Sequence, residues 1–170
     1  ITAGRFNFWG NDFKFNYDNF RIGMTDIDSM RFKVVSFEPN SFGQRYLVDV
    51  KTVLQDLTGD LQIDKPNNKS GKNYYSEYPI FNSAQNSYIY YDKLSIFEGV
   101  YNREEFFVTL DPFEIDSLDN TSTTGLSFNG VFTSAGIFAD MAERIKVQED
   151  YSLGFKRQTP SEGLVAYGGK

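Results

Sequence analysis

Carboxylates are the groups with which this chain could most readily do chemistry. A glycosidase needs two of them across a cleft, one to protonate the leaving oxygen and one to attack or to activate water. Glu104, Glu105, Asp111, Glu114, Asp116 and Asp119 supply many candidates within a short span. None stands in a recognisable signature, and on an acidic chain such residues ordinarily solvate turns and strand ends. Asp116, Asp119 and Asn120 offer oxygen to calcium, but the glycine and the spacing of an EF-type loop are missing. Gly168-Gly169-Lys170 lacks both the earlier glycine of a phosphate loop and a following helix. The chain contains no His and no Cys. The commonest base, thiol nucleophiles, disulfides and thiolate metal sites are thereby removed. No serine occupies a nucleophile elbow, and Ser-x-x-Lys does not occur. The expectation is a protein that is not an enzyme, with no catalytic residue, metal or cofactor.

Binding is better served. Tyr74, Tyr75, Tyr78, Tyr88, Tyr90 and Tyr91 form the densest unusual feature. Such rings can stack on sugars or anchor another protein. The ordinary explanation is that each strand buries one tyrosine face and shows hydroxyls at its rim. Alternation alone accounts for Tyr88 and Tyr90. Trp9 reads as a residue at the edge of the core.

The elements that must carry these residues are strands. Of 170 residues, 17 are Phe and 11 are Tyr, a load that suits pleated surfaces better than helices. Phe6 and Phe8, then Phe13, Phe15 and Tyr17, then Phe20, Ile22 and Met24 alternate with polar residues. Gly10-Asn11-Asp12 and Asp18-Asn19 separate these runs, so an antiparallel meander of three short strands is expected. Asn7, Asn11, Lys14, Asn16 and Arg21 would take its polar face. Met30, Phe32 and Val34 give a fourth strand over Ser29–Phe37.

Across residues 46–57 the period changes. Leu47, Val50, Val53, Leu54 and Leu57 match helical spacing, with Gly59 placed as a C-cap. A strand through Val48, Val50, Thr52 and Leu54 is the rival reading. Further strands follow at Leu57–Ile63, Tyr88–Tyr91, Glu105–Leu110, Leu126–Phe132 and Tyr151–Phe155, with Asp111-Pro112 ending one of them. Residues 140–146 read as a second short helix. Asp26-Ile27-Asp28-Ser29-Met30 is echoed by Glu114-Ile115-Asp116-Ser117-Leu118, short of the sustained self-similarity a repeat requires. The fold class is therefore mainly β, an antiparallel sandwich or curved sheet with one or two short helices, in a single domain over residues 1–170.

Lys and Arg total 17 against 23 Asp and Glu, a net charge of −6. With a pI near 4.7 and no basic run, nucleic acid is not an expected partner. No apolar run approaches the roughly 18 residues that span a bilayer. Ile1-Thr2-Ala3-Gly4 has no initiator Met and enters a strand at once, which reads as an internal fragment of a larger protein.

The run from Gly59 to Gly71 (GDLQIDKPNNKSG) resembles part of very large envelope proteins of Bacteroidota. So do Tyr90-Tyr91-Asp92, Gly99-Val100-Tyr101-Asn102-Arg103, Asp111-Pro112-Phe113 and Ile115-Asp116-Ser117-Leu118-Asp119. Ser134-Ala135-Gly136-Ile137-Phe138, Asp150-Tyr151-Ser152-Leu153-Gly154-Phe155 and Tyr167-Gly168-Gly169-Lys170 carry the same likeness, which covers roughly Leu57 to Lys170. Those long β-rich bodies look distantly similar to the AsmA and TamB group. The resemblance implies a non-enzymatic periplasmic or cell-envelope segment serving structure, outer-membrane assembly or lipid handling. Its partners would be the rest of its own chain, lipid or other envelope proteins. The long polar loops depart from that group's grooved pattern. A second reading is a carbohydrate-binding, jelly-roll-like module that uses the tyrosines; a glycoside hydrolase fragment ranks third.

Overall fold

The computed structural model describes residues 1–92 and 97–169. Lys170, the last residue of the Gly-Gly-Lys motif, lies outside them. Twelve strands form one sheet: β1 (Thr2–Ala3), β2 (Phe6–Asn16), β3 (Arg21–Val35), β4 (Leu47–Asp49), β5 (Leu54–Gln62), β6 (Ile80–Ser83), β7 (Ser87–Tyr90), β8 (Phe106–Leu110), β9 (Glu114–Ile115), β10 (Ser127–Ser134), β11 (Met141–Val147) and β12 (Leu153–Gly154). The main path runs β1-β2-β3-β5-β7-β8-β10-β11-β12, while β4 pairs with β3, and β6 joins β5 to β9. Every pairing is antiparallel, as the alternating patterns require.

The sheet curls. Phe8 on β2 and Phe81 on β6 are three ladder steps apart, roughly 14 Å in a flat sheet. Their ring centroids nevertheless lie 4.8 Å apart. Register shifts at Trp9/Gly10 and between Met24 and Ile27 sharpen the bend, with Asp12 and Asp56 in the left-handed region at φ 52° and 58°. At Gly10 the strands approach so closely that a Cβ would sit 2.0 Å from the Asp26 carbonyl oxygen. The concave face is filled by its own side chains. Phe6, Phe8, Met24, Met30, Phe32, Leu54, Phe81, Ile89, Val108, Leu110, Phe128 and Ile145 are all buried there in one cluster. Phe6 and Phe32, paired across β2 and β3, stack at 5.1 Å.

Several expectations need correction. The opening meander is two long strands, β2 and β3, because Gly10-Asn11-Asp12 stays paired to β3 past a register shift at Trp9/Gly10 rather than turning; Tyr17–Phe20 reverses the chain. Its aromatic face is buried only near β1, since Phe15 and Tyr17 at the far end are more than half exposed. Residues 46–57 are not a helix but β4, a linker and the start of β5. The helical spacing comes from a slip in the strand's alternation: Leu54 and Leu57 are both buried, with Gln55 and Asp56 between them and Asp56 in the left-handed region. Two inward residues three apart then imitate one helix face. Gly59 lies inside β5 rather than at a helix end. Residues 140–146 are also extended, with Ile145 and Val147 of β11 buried and Arg144 and Lys146 outside. Trp9 is not at the core edge; it is half exposed, with the Arg31 guanidinium 5.6 Å from its ring centre.

Helical structure among the described residues amounts to two 3-10 turns, Phe97–Gly99 and Tyr167–Gly169. No helix is long and apolar enough to cross a membrane, among the described residues.

Candidate binding groove

The six tyrosines divide into three groups. Tyr88 and Tyr90 alternate with the buried Ser87 and Ile89, so β7 turns both rings to the convex face. They stack on each other at 5.7 Å and 14°, with Phe107 of β8 edge-on to Tyr88 at 6.3 Å. The Arg103 guanidinium lies 4.1 Å from the centre of the Tyr90 ring. Arg103 is itself held by Asp92 at 2.9 Å and by the Gln55 side-chain oxygen at 2.7 Å. The Tyr90 hydroxyl donates to Asp56 Oδ2 at 3.1 Å. Burial, then that carboxylate, pushes the Tyr90 phenol up to about 12. These ring faces are turned toward protein neighbours, not laid out as a coplanar platform.

Tyr74, Tyr75 and Tyr78 sit on the long loop between β5 and β6. Tyr74 projects with 77% of its surface exposed, while Tyr75 carries the Lys65 ammonium 3.6 Å from its ring centre. The loop is ordered by a buried amide. Asn68 donates to Asp64 Oδ2 and to the Asn73 carbonyl, both at 2.7 Å, and accepts from the Asn73 N–H at 3.1 Å. This accounts for the polar run Asp64–Asn73, which holds its shape without an apolar anchor of its own. Its far end docks on the Ser117–Leu118 turn, where the Ser117 N–H meets the Glu77 carbonyl at 2.8 Å and the Leu118 N–H meets the Pro79 carbonyl at 3.1 Å.

Tyr91 goes to the other face. One residue past β7, it continues the inward phase of Ser87 and Ile89 and meets the Phe132 ring edge-on at 6.3 Å. Burial pushes its phenol up to about 12. Around it lies a groove of about 360 Å³ whose described walls are Tyr91, Tyr101, Phe106, Phe132, Leu153, Gly154 and Phe155, with Gln148 and Ser152 as the polar members. Phe106 meets Tyr101 at 4.6 Å and Phe132 at 6.0 Å, and Phe132 meets Phe155 at 5.6 Å. Gln148 is fixed by donating its amide to the carbonyls of Lys146 and Gly154, at 3.1 and 2.8 Å. The packed concave face thus ends in a partly open, ring-lined slot.

Of the tyrosines singled out in the sequence, only Tyr91 reaches this groove. Phe106, Phe132 and Phe155 fell within strands expected from the sequence, but nothing in the spacing said that their rings converge. Of the candidate carboxylates, Glu114 and Asp116 line one cleft of about 400 Å³, together with Asn120. No three acidic side chains gather as a metal site, among the described residues. No family model, curated protein or solved structure matches the chain.

Proposed function

We propose that this chain is a non-catalytic module of a larger cell-envelope protein, and that its ring-lined groove takes the end of an acyl chain. The observation that carries the reading is the groove itself. Five aromatic rings and Leu153 surround a space of about 360 Å³ with few polar partners, at the end of an otherwise filled concave face. That volume is at the lower end for small-molecule sites, which suits part of a lipid tail better than a whole lipid. Each methylene taken from water contributes about 0.8 kcal/mol, so roughly six give about 5 kcal/mol before ordering costs. Lipid handling in the periplasm or envelope is also what the sequence resemblance implies. The tyrosine platform is the weaker reading, because Tyr88 and Tyr90 stack on one another at 14° and Tyr74, Tyr75 and Tyr78 lie on a separate loop.

Native mass spectrometry of the purified chain, followed by solvent extraction, tests the proposal. Acyl lipid at one equivalent, or uptake of a fluorescent fatty acid that Phe155→Asp weakens at least tenfold, is the expected result. A lipid-free chain that also ignores the fatty acid would overturn it.

A further inference from the structure

The chain is acidic, yet one of its clefts has only basic charge. It lies at the end of β3, where a space of about 400 Å³ is lined by Arg5, Val35, Ser36, Phe37, Arg45 and residues 120–124. No Asp or Glu is among these lining residues. Among the described residues, six ion pairs occupy Lys14, Arg21, Lys65, Arg103, Lys156 and Arg157. Arg5 and Arg45 enter none of them and have no carboxylate partner among the described residues. The nearest acids in sequence, Glu38 and Asp119, do not line the cleft. Glu114 and Asp116 line a second cleft, which shares Asn120, Thr121 and Ser122 with this one.

Both guanidiniums are held by uncharged oxygen. Arg5 donates through one terminal nitrogen to the Thr121 carbonyl at 2.8 Å and through the other to Asn120 Oδ1 at 3.3 Å. Arg45 donates through a single terminal nitrogen to the carbonyls of Ser36 and Phe37. Its Nε–H and second terminal nitrogen have no protein acceptor among the described residues. The loop between them is stapled: buried Thr123 donates to the Val35 carbonyl at 2.8 Å, and buried Thr121 to the Ser117 carbonyl at 2.9 Å. Guanidiniums oriented by neutral carbonyls keep their full charge for a ligand, and their planar fork matches carboxylate or phosphate.

We infer that this cleft binds a sugar unit bearing a carboxylate or a phosphate. Arg5 and Arg45 would hold the anionic group. Asn120, Ser122 and Thr124 present exposed polar groups for ring hydroxyls, and Phe37 supplies an apolar wall, itself supported by Tyr151 at 5.4 Å. The inference is independent of the acyl groove and would survive its failure.

Nuclear magnetic resonance titration of the full 170-residue chain provides the test, with glucuronate, glucose 1-phosphate, glucose and inorganic phosphate as probes. Uronate and sugar phosphate should shift the Arg45 and Thr124 amides, more weakly at high salt, and glucose should not. Arg45→Gln should weaken binding at least tenfold while the fold is kept; Arg45→Lys should restore it only in part. Arg5→Gln is the less safe variant, since Arg5 also secures the loop. The comparison between uronate and sugar phosphate decides which acid is preferred. No response to either acidic sugar, equal binding of glucose, inorganic phosphate binding as tightly as the sugar phosphate, or an unaffected Arg45→Gln would each overturn the assignment.

Discussion

Gly59 offers the sharpest test of the fold. It lies mid-strand in β5, between Met24 of β3 and Ser83 of β6. A Cβ built there would sit 2.1 Å from the Asn82 carbonyl oxygen and 3.0 Å from the tip of the Phe81 ring. Neither neighbour can give way cheaply: one is backbone, the other is fully buried in the core. Restoring normal contact requires β6 to retreat by about 1 Å. Overpacking of that kind costs about 1–3 kcal/mol, and one lost ladder hydrogen bond about 1 more. Gly59→Ala should therefore destabilise by about 2–4 kcal/mol, lowering Tm by roughly 4–16 °C for a chain of this size. Gly23→Ala is the control. It too lies in a strand, but its Cβ meets nothing nearer than the Lys14 carbonyl oxygen at 3.8 Å. It should be neutral or slightly stabilising, because alanine loses less backbone freedom on folding. Thermal unfolding followed by circular dichroism separates the two. Equal melting temperatures would refute the close approach of β5 and β6.

Asn68→Ala should remove three hydrogen bonds around one buried amide at a cost of about 1–3 kcal/mol, felt as loosening of the β5–β6 loop. Limited proteolysis should then cut within residues 64–78 ahead of the rest of the chain; an unchanged pattern would count against the amide's ordering role. Tyr91 should make folding less stable in alkali. Its folded phenol holds its proton to about 12, whereas the unfolded phenol ionises near 10, so the unfolded state binds fewer protons and stability falls as pH rises between those values. Urea titrations at pH 9 and 11 should show a smaller drop for Tyr91→Phe than for the parent, and parallel drops would contradict its burial.

The β-rich, antiparallel character was written in composition and alternation. Seventeen Phe and 11 Tyr, spaced in twos, leave few other architectures, and β8, β10 and the inward phase of Ile89 follow from local pattern alone. Where the pattern misled, a break in the in-out alternation was the cause. Asp12 and Asp56 each adopt the left-handed region in mid-strand and the in-out alternation slips around them, so one long strand read as two and a strand start read as a helix. The convergence of Tyr91, Phe106, Phe132 and Phe155 on one groove, and of Arg5 with Arg45 on one cleft, belongs to the tertiary structure. Alternation tells which face of a strand a side chain occupies. Which faces then meet depends on curvature and on ladders joining residues far apart in sequence, and that information is not local.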